Sequence, residues 1–263
     1  MLEHTFIHIP GIGPRTEQML WQRGILTWQG FLDHQGAIIS PKRDGFISRE
    51  LEASLAHSQD IAFFSKRLCA GEMWRLFHTF KGRAVYLDIE TNGGYQDMDE
   101  ITVIGIYDGT DVQTFVSGIN LDEFEMAIAA YDLVITFNGA CFDLPIIRAR
   151  FPGITLPEGH IDLRFLLKKL GYAGGLKQIE KDLGIAREAG IDGMDGFEAV
   201  RLWQAYQWGD DAALDTLIRY NRADIVNLKP LMEMGYRGMK ARLFPCEDER
   251  PQERPLYESL SRG

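Results

Sequence analysis

The sequence predicts an α/β domain, a mixed central sheet flanked by helices, preceded by a small helical region. Three observations point there. From about residue 81 onward, apolar runs of strand length alternate with amphipathic stretches, whereas the first 80 residues carry only helical signals. The first three strand signals follow one another through the turn residues Asn92-Gly93-Gly94 and Asp108-Gly109 before any helix intervenes, which is a meander and not a β-α-β repeat. No Gly-x-Gly-x-x-Gly follows a strand and no P-loop is present, so the doubly wound nucleotide-binding arrangement lacks its phosphate loops.

Length and composition bound the rest. A chain of 263 residues with 45% hydrophobic content can bury a normal core. Cys69, Cys141 and Cys246 form no Cys-x-x-Cys pair, so neither a disulfide framework nor a zinc ribbon is encoded, and Cys141 is expected to pack as a small apolar residue. No apolar run approaches the roughly 20 residues of a membrane span, and the N-terminus lacks a basic segment followed by an apolar one, which makes a cytoplasmic location the expectation. The formal charge of -10 argues against broad wrapping of nucleic acid but permits a local basic patch.

The helical region opens with Phe6-Ile7-His8-Ile9-Pro10-Gly11-Ile12-Gly13-Pro14. Gly11 and Gly13 can adopt positive φ and expose backbone N–H groups, and Pro14 suits the first turn of a helix through Met19, Leu20 and Trp21. Pro-Gly-Ile-Gly followed by that helix and Arg23-Gly24-Ile25 resembles the hairpin and second helix of a helix-hairpin-helix DNA-binding motif. Only nine residues precede Pro10, so the motif is half-formed or completed by a later helix; a helix start that packs on the next domain is the alternative. Leu51, Leu55, Ile61, Phe64 and Leu68 suggest further helices, with Lys42, Arg43, Arg49, Lys66 and Arg67 as a solvated face or a nucleic-acid contact.

In the second region, strands are expected near 83–90, 101–107 and 111–117, a helix over 121–130, and a buried strand over 133–137. The first strand ends in Asp88-Ile89-Glu90. Residues two apart on a strand share a face, and two carboxylates there repel one another unless a divalent cation lies between them or solvent bathes a turn. Asn138-Gly139-Ala140-Cys141-Phe142-Asp143 follows, leading into a helix over Ile146 to Phe151. Asn138 can cap that helix or contact a nucleotide, and Phe142 can be core or contact, while Asp143 sits where it can face Asp88 and Glu90. Asp162 reads as the N-cap of a helix over 164–170 or as part of a catalytic shell.

Beyond it, the stretch Gly174 to Ile185 reads as a short helix closed by Gly184, with Lys177 free to face solvent or a phosphate. A Gly- and Asp-rich connection over 188–196 looks mobile, and two helices cover about 197–207 and 210–233. Tyr220 and Asp224, four apart, share a helical face and can converge on one site; alternatively Tyr220 packs and Asp224 pairs with Arg222 or Lys229. Residues 1–80, 81–245 and 246–263 thus read as helical region, α/β domain and charged flexible tail.

Three meandering strands, a helix and a further strand describe a ribonuclease-H-like arrangement, and the ordered set Asp88-x-Glu90, Asn138-Gly-x-x-Phe-Asp143, Tyr220-x-x-x-Asp224 resembles the DEDD superfamily of 3′-5′ exonucleases. The histidine variant of that superfamily places its base five residues before the last aspartate, where this chain has Arg219; Tyr220 matches the DEDDy branch. The stretch Gly175-Leu-Lys-x-Ile-Glu-Lys-x-Leu-Gly-Ile-x-Arg187 is similar to the YprB-type group of bacterial exonuclease-like proteins. The resemblance implies phosphodiester hydrolysis with two Mg²⁺ or Mn²⁺ ions about 4 Å apart. Asp88 would bridge them, Glu90 and Asp224 would hold the ion serving the attacking water, and Asp143 would act on the second ion through a water. Tyr220 would orient the attacking water. The site residues expected on this basis are Asp88, Glu90, Asp143, Tyr220 and Asp224, with Asn138, Phe142, Gly11, Gly13 and Lys177 as nucleic-acid contacts. The expected substrate is the 3′ end of single-stranded nucleic acid, DNA favoured over RNA, in processing or repair; a noncatalytic binding module and a structure-specific endonuclease are the alternatives.

Overall fold

In the computed structural model, which describes residues 1–94 and 100–244, a five-stranded mixed sheet forms the centre of the second region. Its strands are β1 (Ala84–Thr91), β2 (Ile101–Tyr107), β3 (Val112–Val116), β4 (Leu133–Thr136) and β5 (Gly159–Asp162), arranged β3-β2-β1-β4-β5. β1 to β3 form the antiparallel meander, and β4 and β5 add parallel to β1. The tail expected at 246–263, with Cys246, lies outside the described residues.

Five helices precede the sheet: α1 (Pro14–Gln22), α2 (Trp28–Leu32), α3 (Pro41–Ala56), α4 (Ile61–Ser65) and α5 (Phe77–Phe80). Their starts follow capping chemistry. Thr27, Ser40 and Asp60 accept backbone N–H bonds at the first turns of α2, α3 and α4, and Pro14 and Pro41 occupy positions where a missing N–H costs nothing. Between and after the strands come α6 (Phe124–Ile128), α7 (Asp143–Arg150), α8 (Leu163–Lys169), α9 (Leu176–Asp182), α10 (Gly196–Gln207) and α11 (Asp211–Leu243).

The strand period divides β1 between two cores. Val85, Leu87 and Ile89 point into a layer with Ile104, Phe124 and Ile147. Ala84 and Tyr86 point the other way, toward the helical layer that includes Trp74, Leu228 and Met232. Asp88 and Glu90 continue this second face. It is covered by α11, whose buried residues Leu217, Tyr220, Asn221, Asp224, Ile225 and Leu228 recur at helical spacing.

Several boundaries differ from expectation for identifiable reasons. α7 begins at Asp143, three residues early, because Pro145 is tolerated in its first turn. β5 has no counterpart among the expected strands, because four residues starting at a glycine carry too little alternation to register as one. The helix expected over 121–130 is a 3₁₀ turn (Leu121–Glu123) followed by the short α6. α11 runs 33 residues, ten beyond the expected end, straight through Pro230. Cys141 is exposed and does not pack as an apolar residue, because it lies in the turn before α7.

Candidate active site

The pairing of β1 positions the site. β4 pairs with β1 only over Ala84 to Tyr86, whereas β2 pairs with it out to Thr91. Past Tyr86, therefore, the β4-side edge of β1 needs other partners. Asp143, the first residue of α7, takes one of them: its Oδ1 accepts the Ile89 N–H at 3.1 Å. The loop that delivers Asp143 is shaped by Asp162, which accepts from the N–H groups of Asn138 (2.9 Å) and Ala140 (3.1 Å) while capping α8 through Arg164 N–H (3.0 Å). One carboxylate thus performs the expected N-cap and fixes a second element. The loop also demands Gly139, since a Cβ there would lie 2.4 Å from Thr136 Oγ1.

On the same side of the sheet, one carboxylate oxygen from each of Asp88, Glu90 and Asp224 lies within 4.8 Å of the others. Asp88 is partly buried, and Glu90 and Asp224 are buried. Asn221, fully buried on α11, donates Nδ2–H to Asp88 Oδ2 (3.1 Å) and to the Asp88 carbonyl (3.3 Å). It fits because β2 has Gly105 opposite Asp88; a Cβ at 105 would lie 2.0 Å from Asn221 Oδ1.

Burial and mutual repulsion push these carboxyl groups upward. Asp88 and Glu90 titrate well above the usual carboxylate range, burial being the larger cause, with Asp143 acting next on Asp88 and Asp224 next on Glu90. Burial pushes Asp143 up to about 7. Burial also raises Asp224, against the pull of Arg187. Tyr220 is raised by burial and by the nearby Asp224, Glu90 and Asp88, so its phenol keeps its proton. Lys177 donates to the Tyr220 hydroxyl and to the Met194 carbonyl, and its ammonium lies 4.4 Å from the Tyr220 ring centroid.

Asp88, Glu90 and Asp224 form one group, Asp143 stands beside it on the Ile89 N–H, and Tyr220 lies one turn before Asp224 on the buried face of α11. Lys177 does not face solvent, since it is turned inward onto Tyr220. Phe142 is not core: it is 39% exposed at the start of α7. Asn138 does not cap α7, whose N-cap is Phe142; it holds a left-handed conformation (φ 67°) and its Oδ1 accepts from Arg164 Nη1 at 2.6 Å. Of the hairpin glycines, Gly11 has positive φ (77°), but Gly13 is in an extended conformation (φ -102°) as the N-cap of α1. Arg43 of α3 lies over Gly11 and donates to the Pro10 carbonyl at 2.9 Å, so a later helix packs onto the hairpin.

The pairing of Asp224 differs from both expected alternatives. Its ionic partner is Arg187, while Lys229 donates to the Gly109 carbonyl at 2.8 Å. Arg187, whose side chain is 3% exposed, also forks onto Glu180 through Nε (2.7 Å) and Nη2 (2.8 Å), and Asn227 donates to the same Glu180 at 2.9 Å. Burial disfavours the guanidinium, but these carboxylates outweigh it and raise its pKa.

The sheet order and the carboxylate group at its strand ends define an α/β chain with an acidic site on the α11 face. Residues 85–236 match the family model described as RNase_H superfamily, more than half of the chain, and the chain belongs to that superfamily. No curated protein matches its sequence. Among solved structures, it is similar to the family B DNA polymerase of Pyrobaculum calidifontis (16% identity, TM-score 0.44, covering 62% of this chain and 24% of the polymerase). It is also similar to Escherichia coli RNase D, an exoribonuclease involved in structured RNA processing (17% identity, TM-score 0.46, 65% of this chain and 43% of RNase D). A third is Brucella melitensis NrnC bound to pGG (20% identity, TM-score 0.45, 63% of this chain and 78% of NrnC). The chain thus spans less than half of the first two.

Proposed function

We propose that this chain is a divalent-cation-dependent 3′-5′ exonuclease of the DEDDy branch, shortening single-stranded nucleic acid, DNA ahead of RNA. The observation that carries this reading is the group of Asp88, Glu90 and Asp224 oxygens within 4.8 Å of one another, two of the three residues buried. Like charges held this close raise one another's pKa values and cost stability, so a fold gains nothing from them without a cation to receive. The donors are all carboxylate oxygens, a set that suits Mg²⁺ or Mn²⁺ over Zn²⁺.

When bound, such ions supply an activated nucleophile at neutral pH and stabilise charge on the phosphoryl group and leaving oxygen. Asp88, Glu90 and Asp224 would hold them, with Asp143 completing the acidic wall. Tyr220 keeps its proton and therefore positions the attacking water as a hydrogen-bonding group; it does not serve as the base. The exposed ring of Phe142 offers a stacking surface for the terminal base, and Asn138 lies in the same loop. In this reading the region 1–80 contributes a backbone-phosphate contact at Gly11 and Gly13, with Arg43 beside Gly11, which positions a strand without reading its sequence. Residues 81–245 do the chemistry.

The test is incubation with Mn²⁺ or Mg²⁺ and 5′-labelled single-stranded DNA and RNA, beside Asp224→Ala and Tyr220→Phe. A ladder shortening from the 3′ end is expected, abolished in Asp224→Ala. In Tyr220→Phe, kcat should fall about 10²-fold with Mn²⁺ affinity retained. Internal cuts would replace the exonuclease by an endonuclease on the same site. Neither cleavage nor Mn²⁺ binding would leave a noncatalytic binding module.

A further inference from the structure

Two charged side chains of the segment 175–187 turn inward on Tyr220 and Asp224 of α11, and a third backs one of them. Lys177 meets Tyr220, Arg187 meets Asp224, and Glu180 is the buried counter-ion of Arg187. Glu180 and Arg187 line a cavity of about 120 Å³ together with Lys177, Met194 and Asp195. As a stabilising device this arrangement is poor, because desolvating a guanidinium and a carboxylate roughly offsets their attraction and an apolar pair could fill the same space. Its value lies in direction. The fork from Arg187 to Glu180 is bidentate, which fixes the guanidinium plane, and the bond from Asn227 fixes Glu180 in turn. The same Nη2 then reaches Asp224 Oδ1.

We propose that the relay Asn227–Glu180–Arg187–Asp224 is a positioning device: it grips Asp224 by Oδ1 and so fixes the orientation of a carboxylate that would hold a divalent cation. The proposal rests on the metal-dependent reading above. Two effects of Arg187 on an incoming cation oppose each other, repulsion by its charge and orientation of the ligand. Glu180 cancels the charge at 2.7 Å, so orientation wins. Partners that orient a metal-binding carboxylate or imidazole in this way are worth about 10- to 100-fold in metal affinity. Arg187 is therefore a positioning residue, not a catalytic one.

Calorimetric titration of the full chain with Mn²⁺ tests this, using wild type, Arg187→Gln, Arg187→Lys and the double variant Glu180→Gln/Arg187→Gln. The double variant removes both buried charges, so its weakness cannot come from a stranded Glu180, and thermal unfolding in EDTA verifies that it is folded. Arg187→Gln and the double variant should both bind Mn²⁺ about 10- to 100-fold more weakly with the number of ions unchanged, and Arg187→Lys should recover part of the loss. Binding within about twofold of wild type in the double variant, or tighter, would overturn the proposal and make Arg187 a mere counter-charge. Wild type that binds no Mn²⁺ would instead defeat the metal-dependent reading itself, and the relay's role with it.

Discussion

Asn221 reaches from α11 across to Asp88, and it has room only because residue 105 lacks a side chain. Gly105→Ala would drive a methyl group to 2.0 Å from Asn221 Oδ1, with backbone of β2 on one side and a fully buried amide on the other. We expect a loss of about 1–3 kcal/mol in urea unfolding, as for other overpacked cores, together with weakened Mn²⁺ binding because Asp88 loses its donor. Protonation gives a second prediction at this scale. The Asp143 carboxyl, lifted to about 7 by burial, favours the fold when protonated. That contribution is complete below the ordinary carboxylate range and is lost as pH rises through about 7. His8, pushed down to about 4 by burial, works in the opposite sense below its own ordinary value. A comparison with and without Mn²⁺ at each pH separates them. Mn²⁺ should raise the melting temperature more at about pH 8 than at about pH 6, and calorimetry in buffers of different ionisation enthalpy should show protons released on binding near pH 7. The pairs Asp88 with Glu90 and Tyr220 with Asp224 were legible in the sequence because their spacings, two on a strand and four on a helix, are local. Arg187, Glu180 and Asn221 were not, because Arg187 meets Asp224 from 37 residues away and Asn221 meets Asp88 from 133. The signal that existed for the first two was the motif around Leu176, in which they stand as its glutamate and its final arginine.

At the scale of elements, the three meander strands were readable because Asn92-Gly93-Gly94 and Asp108-Gly109 punctuate long apolar runs. β5 was not, being short and paired only along one edge of β4. α11 shows why proline misleads. Its interior residue Pro230 removes one backbone donor, yet Leu231, Met232, Tyr236 and Met239 carry the buried stripe onward, so packing overrides propensity. Pro230 is itself exposed. Pro230→Ala should therefore stabilise the chain, by about 1–3 kcal/mol in chemical unfolding, by restoring a helical hydrogen bond without disturbing a contact. Gly235 illustrates the opposite constraint, since a Cβ there would stand 2.9 Å from Leu166 Cδ2 and push α8 away.

At the scale of the molecule, the helices of the first 80 residues share one apolar core with Tyr86, Ile135, Leu167 and the second half of α11. Buried Arg75 joins them internally by pairing with Glu17 at 3.0 Å, and Glu17 in turn accepts the Phe6 N–H at 2.7 Å at the entrance to the glycine hairpin. Among the described residues no helix is long and apolar enough to cross a membrane. Trp74 and Phe77 both pack toward Tyr236, with ring centroids 6.0 and 5.7 Å away. Tyr236 lies on the same 33-residue helix as Tyr220 and Asp224, a rod of roughly 50 Å. The rod has a genetic consequence. In a screen for loss of the proposed nuclease activity, substitutions at Trp74 or Phe77 would be recovered alongside those at Asp88 and Asp224. They would be told apart by heat-sensitivity: the former should be rescued at low growth temperature, the latter at none.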